Sequence, residues 1–154
     1  MKKLLTLLVL TLITATGCKS QATSADAKKL AESDVKYEYR AYTRGSVISI
    51  SMDKKSVHAG RGNGIGDLDG PIVTMTPEKW SALLEETAKV NLAGLETLEA
   101  PSKKHQFDGA LAATLKITVD SKEYQTITFD HGNPPTEIKA LVDKIIALSE
   151  LEKE

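Results

Sequence analysis

The stretch from Lys36 to Met52 leaves the chain little choice of local structure. Lys36 to Arg44 alternates, with Tyr37, Tyr39 and Ala41 on one side and Lys36, Glu38 and Arg40 on the other. Gly45 interrupts the run. Ser46 to Met52 then alternates again, with Ile48, Ile50 and Met52 opposite Val47, Ser49 and Ser51. Successive side chains of a strand point to opposite faces, so period two over both runs specifies two half-buried strands joined by a turn.

The rest of the chain extends this pair. Asp53-Lys54-Lys55 turns the chain, and Ser56 to Ala59 suggests a short third strand. Thr76-Pro77-Glu78 opens a helix, because threonine can cap, proline suits the first helical position and glutamate complements the dipole. Trp80, Leu83, Leu84, Thr87 and Ala88 then recur with helical spacing to about Val90, and Leu92, Leu95 and Leu98 form an apolar ladder that Pro101 stops. Ala110 to Val119 alternates clearly, Asp120-Ser121 turns it, and Tyr124 to Phe129 returns with Ile127 and Phe129 inward. Pro134-Pro135-Thr136-Glu137 opens a last helix that carries Ile138, Leu141, Val142, Ile145 and Leu148. The expected order is ββ(β)αββα. It describes an α+β fold, an antiparallel sheet of four to five strands with two helices on one face. All seven aromatics lie beyond Val35, so the domain is placed at 35–154. A domain of that size buries a core without a disulfide or metal.

The N-terminus reads as an address. Met1-Lys2-Lys3 is positive, Leu4 to Ala15 is apolar apart from threonines, and Thr16-Gly17 precedes Cys18. That order is a secretory signal over residues 1–17, and the apolar run is shorter than the roughly 20 residues that span a bilayer. The competing reading is a short anchor that stays uncleaved. Lys19 to Asp34 has Ser, Ala and charge without aromatics, so residues 18–34 read as the anchoring cysteine and a flexible tether reaching about 50 Å when extended. The alternative for this stretch is a frayed helix over Ala25 to Glu32.

Charge and cysteine count narrow the function classes. The 154 residues carry a net charge of −1 and one cysteine. Near-neutrality gives no reason to expect nucleic acid as a partner, and one cysteine excludes both an intramolecular disulfide and an all-cysteine metal cage. Loss of residues 1–17 takes Lys2 and Lys3 and lowers the net charge to about −3.

Three sets of residues invite chemistry. The first is the glycine-rich run Gly60 to Gly70, where Asn63, Asp67 and Asp69 offer oxygens to a weak cation site. It lacks the spacing of a phosphate cradle, since position 65 is Ile, and it lacks the Glu that would close an EF-hand. A plain surface loop fits it as well. The second set is His105, Asp108, Asp130 and His131. Asp108 and the Asp130-His131 pair fall at the same end of the second hairpin, and the four side chains together suit a divalent metal or acid–base work. The plainer alternative has Asp130 capping a turn and Asp108 pairing with Arg40 or Arg44. The third set is Arg40, Tyr42 and Arg44, which alternate away from the Tyr37/Tyr39 face and suit surface contacts. No Ser-His-Asp or Cys-His spacing is recognisable, so no catalytic residue and no cofactor are assigned.

Two resemblances add to this reading. Ala15-Thr16-Gly17-Cys18 resembles a bacterial lipobox, with Ala where Leu or Val is commoner. The resemblance implies that Cys18 becomes the first residue and is lipidated on its sulfur and its new amino group; such multiple acylation gives stable anchoring. Lys19 follows instead of Asp, which by resemblance to enterobacterial lipoproteins implies the outer membrane. No acidic cluster follows the cysteine to resemble a surface-export signal, which implies a periplasm-facing molecule. The strings Tyr39-Arg40-Ala41-Tyr42-Thr43-Arg44-Gly45, Pro77-Glu78-Lys79-Trp80, Phe107-Asp108-Gly109-Ala110 and Phe129-Asp130-His131-Gly132-Asn133-Pro134-Pro135 resemble a group of small lipoproteins of flavobacteria and related Bacteroidota. The likeness runs from Lys36 to Leu148. That group carries no assigned activity, so the resemblance implies location and domain extent and no catalytic residues.

The expectation is therefore a lipid-anchored envelope protein that acts as a non-catalytic binding or accessory domain. Its membrane contact is the N-terminal lipid, and its partner is an envelope protein or small ligand. The alternative is a metal-binding or metal-assisted hydrolytic domain built on the His105, Asp108, Asp130 and His131 set. An inhibitor-like module would need a rigid exposed loop, and the 60–70 segment is too rich in glycine for that unless packing holds it.

Overall fold

The computed structural model describes residues 24–63 and 70–151. Cys18 and the residues before it lie outside the described residues, as do Asp67 and Asp69 of the glycine-rich run. The fold is α+β. Seven antiparallel strands form one sheet: β1 (Val35–Thr43), β2 (Ser46–Met52), β3 (Ser56–Gly62), β4 (Ile72–Thr74), β5 (Ala112–Val119), β6 (Lys122–Gln125) and β7 (Phe129–Asp130). Their spatial order is β4-β3-β2-β1-β5-β6, with β7 also paired to β5. Three helices complete the domain: α1 (Ser24–Glu32), α2 (Pro77–Ala88) and α3 (Lys139–Ser149).

The alternation of β1 and β2 appears as expected. Tyr37, Tyr39 and Ala41 are fully buried and paired with Met52, Ile50 and Ile48 across the ladder. The turn is Arg44-Gly45, where Gly45 has φ +82°, a conformation that costs any other residue steric strain. β1 also pairs with β5, so Tyr39 stands opposite Leu115 and Tyr37 opposite Ile117. These side chains, with Leu83 of α2 and Leu141, Val142 and Ile145 of α3, make one continuous core on the inner face. Trp80 meets Tyr37 edge-on, with ring centroids 5.9 Å apart. The Tyr37 and Thr87 hydroxyls share a 2.7 Å hydrogen bond, and Thr87 donates onward to the Leu83 carbonyl at 2.8 Å. Burial pushes the Tyr37 phenol well above its usual range, and this bond only partly offsets it.

The structure corrects four expectations about elements. Over Ser24–Glu32 the tether gives way to its alternative, a helix, because α1 packs on α2 and lays Leu30 against the core. β3 runs on to Gly62, taking Gly60, Arg61 and Gly62 out of the expected loop, and β4 pairs with it. A Cβ on Gly70 would sit 1.7 Å from the Ala59 carbonyl oxygen, so this glycine lets one backbone lie on another. The last helix begins at Lys139, after a 3-10 turn over Thr136–Ile138, and the leucine ladder is a 3-10 turn over Leu92–Thr97.

The fourth difference matters most for function. Tyr124 to Phe129 is not a single uninterrupted strand. Gln125 pairs with Lys116, but Phe129 pairs with Ala113, so β6–β7 carries one residue more than β5 over this interval. This is a β-bulge. Thr126 fills the gap: its N–H donates to the Leu115 carbonyl at 2.9 Å, and its hydroxyl accepts from the Leu115 N–H at 3.0 Å. The extra residue reverses which side chains face inward beyond it. Phe129 therefore enters the core, as expected, and Asp130 faces the opposite side of the sheet, in one row with Ala112 and Tyr42. Among the described residues no helix is long and apolar enough to cross a membrane.

Candidate functional site

The candidate site lies on the outer face of the sheet, at its Arg44–Gly45 end. Arg40 and Tyr42 project there from β1, and Val47 and Ala112 lie beside Tyr42 in the ladders. The Arg40 guanidinium sits 5.8 Å from the centre of the Tyr42 ring, the reach of a cation–π contact. Arg40, Tyr42, Arg44, His105 and Asp108 together line a recess of about 500 Å³ above Val47 and Ala112. The structure thus joins all of the expected surface-contact residues to half of the expected metal set.

The far wall is the segment Ser102 to Asp108, and one buried carboxylate holds it. The Asp130 side chain is 2% exposed. It accepts hydrogen bonds from the Ser102 hydroxyl at 2.5 Å, the Lys104 N–H at 2.9 Å, the His105 N–H at 2.8 Å and the His105 Nδ1 at 2.5 Å. Asn133 backs the cluster by donating its side-chain amide to Ser102 Oγ at 2.7 Å. Burial alone would raise the Asp130 carboxyl. The Ser102 hydroxyl, the two backbone N–H groups and the His105 ring overcome that and hold it far below the usual carboxylate range. An ionised carboxylate only accepts, so the His105 Nδ1 carries a proton. Every buried side-chain polar atom among the described residues has a partner, and His105 Nε2 has none, so Nε2 reaches solvent.

The remaining members of the expected metal set lie elsewhere. His131 follows Asp130 on the strand and therefore points to the other face, where its Nδ1 lies 2.6 Å from the Tyr39 hydroxyl. Asp108 ends the 3-10 turn Lys104–Phe107 in a left-handed conformation, φ +55°, at the recess wall. It makes no ion pair within 4.0 Å with Arg40 or Arg44 among the described residues, so the expected Asp108–arginine pair does not form. No group of three or more His, Cys, Asp or Glu side chains among the described residues is arranged to hold a metal. The convergence of all four that the metal reading requires does not occur. Asn63 follows β3 as an exposed residue, and its partners in the expected cation site, Asp67 and Asp69, are outside the described residues.

Sequence reasoning missed Ser102 and Asn133, the two side chains that complete the Asp130 cluster. Asn133 had a local signal, since the Asp130-His131-Gly132-Asn133 string is a tight turn. Gly132 has φ +82°, and the Asn133 N–H returns to the Asp130 carbonyl at 2.8 Å. Ser102 had no such signal, because its partner lies 28 positions away.

Two features set this recess apart from the other surface groove of note. A larger groove of about 660 Å³ follows the seam between α1 and α2, lined by Met75, Trp80 and Leu84 with Lys28, Lys54 and Lys89 around it. It has little convergent polar chemistry. The outer-face recess instead gathers two arginines, an imidazole and a carboxylate, the pattern of a site that orients a polar ligand. Among the described residues Arg40 and Arg44 make no ion pair within 4.0 Å, as is also true of Lys28 and Lys54 in the larger groove. Phe107, next to Asp108, is 82% exposed and Tyr42 is 51% exposed. No protein-family model, no curated protein and no solved structure matches this chain.

Proposed function

We propose that the chain is a lipid-anchored protein of the cell envelope, held through Cys18 at the outer membrane and facing the periplasm. Its domain is a binding module that engages an envelope component at the outer-face recess. The observation that carries this reading is the pair of arginines, Arg40 and Arg44. Among the described residues they lack ion-pair partners, and they line the same recess as Tyr42 and the solvent-reaching imidazole of His105. Unpaired guanidinium groups beside an exposed aromatic ring are well suited to recognition, because each offers several fixed donors without a competing internal carboxylate. The recess wall is preorganised by the Asp130 cluster, which lowers the ordering cost of binding.

The anchor and the domain lie close together in this reading. The helical stretch begins at Ser24, so the chain between Cys18 and α1 spans at most about 20 Å. The domain then rides nearer the lipid headgroups than a fully extended tether would allow.

Two measurements test the proposal. Metabolic labelling with a palmitate analogue is expected to mark the protein and to be lost in Cys18→Ala, together with retention in the membrane fraction. Unlabelled wild-type protein would remove the anchor from the reading. A photo-crosslinking residue at position 42, in the native envelope, is expected to capture an adduct that the same residue at position 118 does not. Equal capture at both positions, or none at either, would count against the recess as a binding site.

A further inference from the structure

The chemistry of the recess selects a ligand class, given that it is the binding site proposed above. Its polar groups are of two kinds. Arg40 and Arg44 offer donors and positive charge, with no carboxylate of the described residues within ion-pair distance. Their natural complement is a planar carboxylate, which guanidinium groups bind through paired hydrogen bonds. The other polar groups suit a hydroxyl. Asp108 is a carboxylate in the same wall. His105 is tied through Nδ1 to Asp130, which leaves its Nε2 open for a further hydrogen bond in the recess. An anion alone satisfies the arginines and leaves Asp108 facing like charge. A neutral polyol alone satisfies Asp108 and His105 and leaves the arginines unpaired. Tyr42 adds a half-exposed ring face, on which the C–H side of a small ring can lie.

We propose that the recess binds a hydroxylated organic acid of sugar-acid type, its carboxylate held by Arg40 and Arg44, a hydroxyl hydrogen-bonded to His105 Nε2 and its apolar face against Tyr42. A volume of about 500 Å³ accommodates one such ring with water to spare. His105 is here a positioning group. No bond to the ligand is made or broken.

Calorimetric titration of the full-length mature protein in detergent tests this with three probes: D-glucuronate, D-glucose and propionate. Glucuronate carries both features, and each of the others carries one. Glucuronate is expected to bind at least tenfold more tightly than either. The double variant Arg40→Ala/Arg44→Ala, whose positions are exposed, is expected to weaken glucuronate at least tenfold while leaving the thermal midpoint unchanged. Glucuronate binding no tighter than glucose, or binding untouched by the double variant, overturns the ligand class. If that class fails while position 42 still captures an adduct that position 118 does not, the binding-module reading stands with a different ligand. Failure of both removes the recess from consideration.

Discussion

The two faces of the sheet use the same kinds of residue to opposite ends. On the inner face, Tyr39 and His131 meet at 2.6 Å over a core where Tyr39 is fully buried, and Phe129 packs 6.4 Å from the tyrosine ring. On the outer face, Tyr42 is half exposed beside Arg40, and His105 is bound to a buried carboxylate. The inner pair satisfies polar atoms that burial has already committed. The outer set leaves charge and a ring nitrogen open to solvent. A tyrosine and a histidine are thus structural on one side and available on the other, and the strand face on which each falls makes the difference.

Substitutions on the two faces should separate them by size of effect. Leu115→Ala, in the inner core at 0% exposure, is expected to cost about 2–5 kcal/mol in denaturant unfolding. Its outward neighbour Thr114→Ala should change stability by less than about 0.5 kcal/mol. Similar losses at both positions would erase the distinction between the faces.

Asp130→Asn tests the one place where the outer face depends on a buried group. The variant should lose hydrogen-exchange protection over Ser102 to Asp108 while β1 and β5 stay protected. Its pH dependence has a definite sign. The folded carboxyl lies below its unfolded value, so the stability that the charge contributes is complete above the ordinary carboxylate range. It is lost as pH falls from about 4 through the folded value. The gap between wild type and variant should therefore be widest near neutral pH and close in acid. A gap that widens in acid would mean that the carboxyl is protonated in the native state.

A smaller effect is expected inside. Tyr37→Phe removes the hydroxyl bonded to Thr87, which keeps its own bond to Leu83, so the cost should be about 0.5–1.5 kcal/mol. Least of all, Arg40→Ala/Arg44→Ala should leave the thermal midpoint within about 2 °C of wild type, since neither arginine holds a carboxylate. A clear loss of stability there would make the arginines structural and undercut their role in binding.

Much of the sheet was legible in the sequence because period two is local. The burial of Tyr37, Tyr39, Ala41, Leu115 and Ile117 follows directly from alternation, and the Arg44-Gly45 turn from its glycine. Thr76-Pro77-Glu78 likewise marked α2: Thr76 caps it through the Lys79 N–H at 3.3 Å. Other elements were legible only as an alternative, as the helix over Ala25 to Glu32 was, or not at all. α1 has alanine and lysine but too few residues to hold a helix in isolation, and it is stabilised by packing on α2. β4 has three residues and depends on its ladder with β3. The sequence also brought the right residues into view as candidates while grouping them wrongly. His105 and His131 both neighbour the Asp130 turn, yet they lie on opposite sides of the sheet.

By itself, the sequence determined the strand faces of β1, β2 and β5, the glycine turn between the first two strands, the class of fold and the terminal string on which the expected anchoring rests. Each of these is written in residues within a few positions of one another. Tertiary structure alone decided where the recess lies and what chemistry lines it. The bulge at Thr126 adds one residue to the β6–β7 edge and so turns Asp130 outward and His131 inward. Asp130 then collects Ser102 and His105 from a segment more than twenty positions away and sets that segment against the two arginines. A one-residue change of register is cheap where a threonine hydroxyl can replace a backbone partner. It is invisible in a hydrophobic pattern, because both phases of Tyr124 to Phe129 place an apolar residue inward.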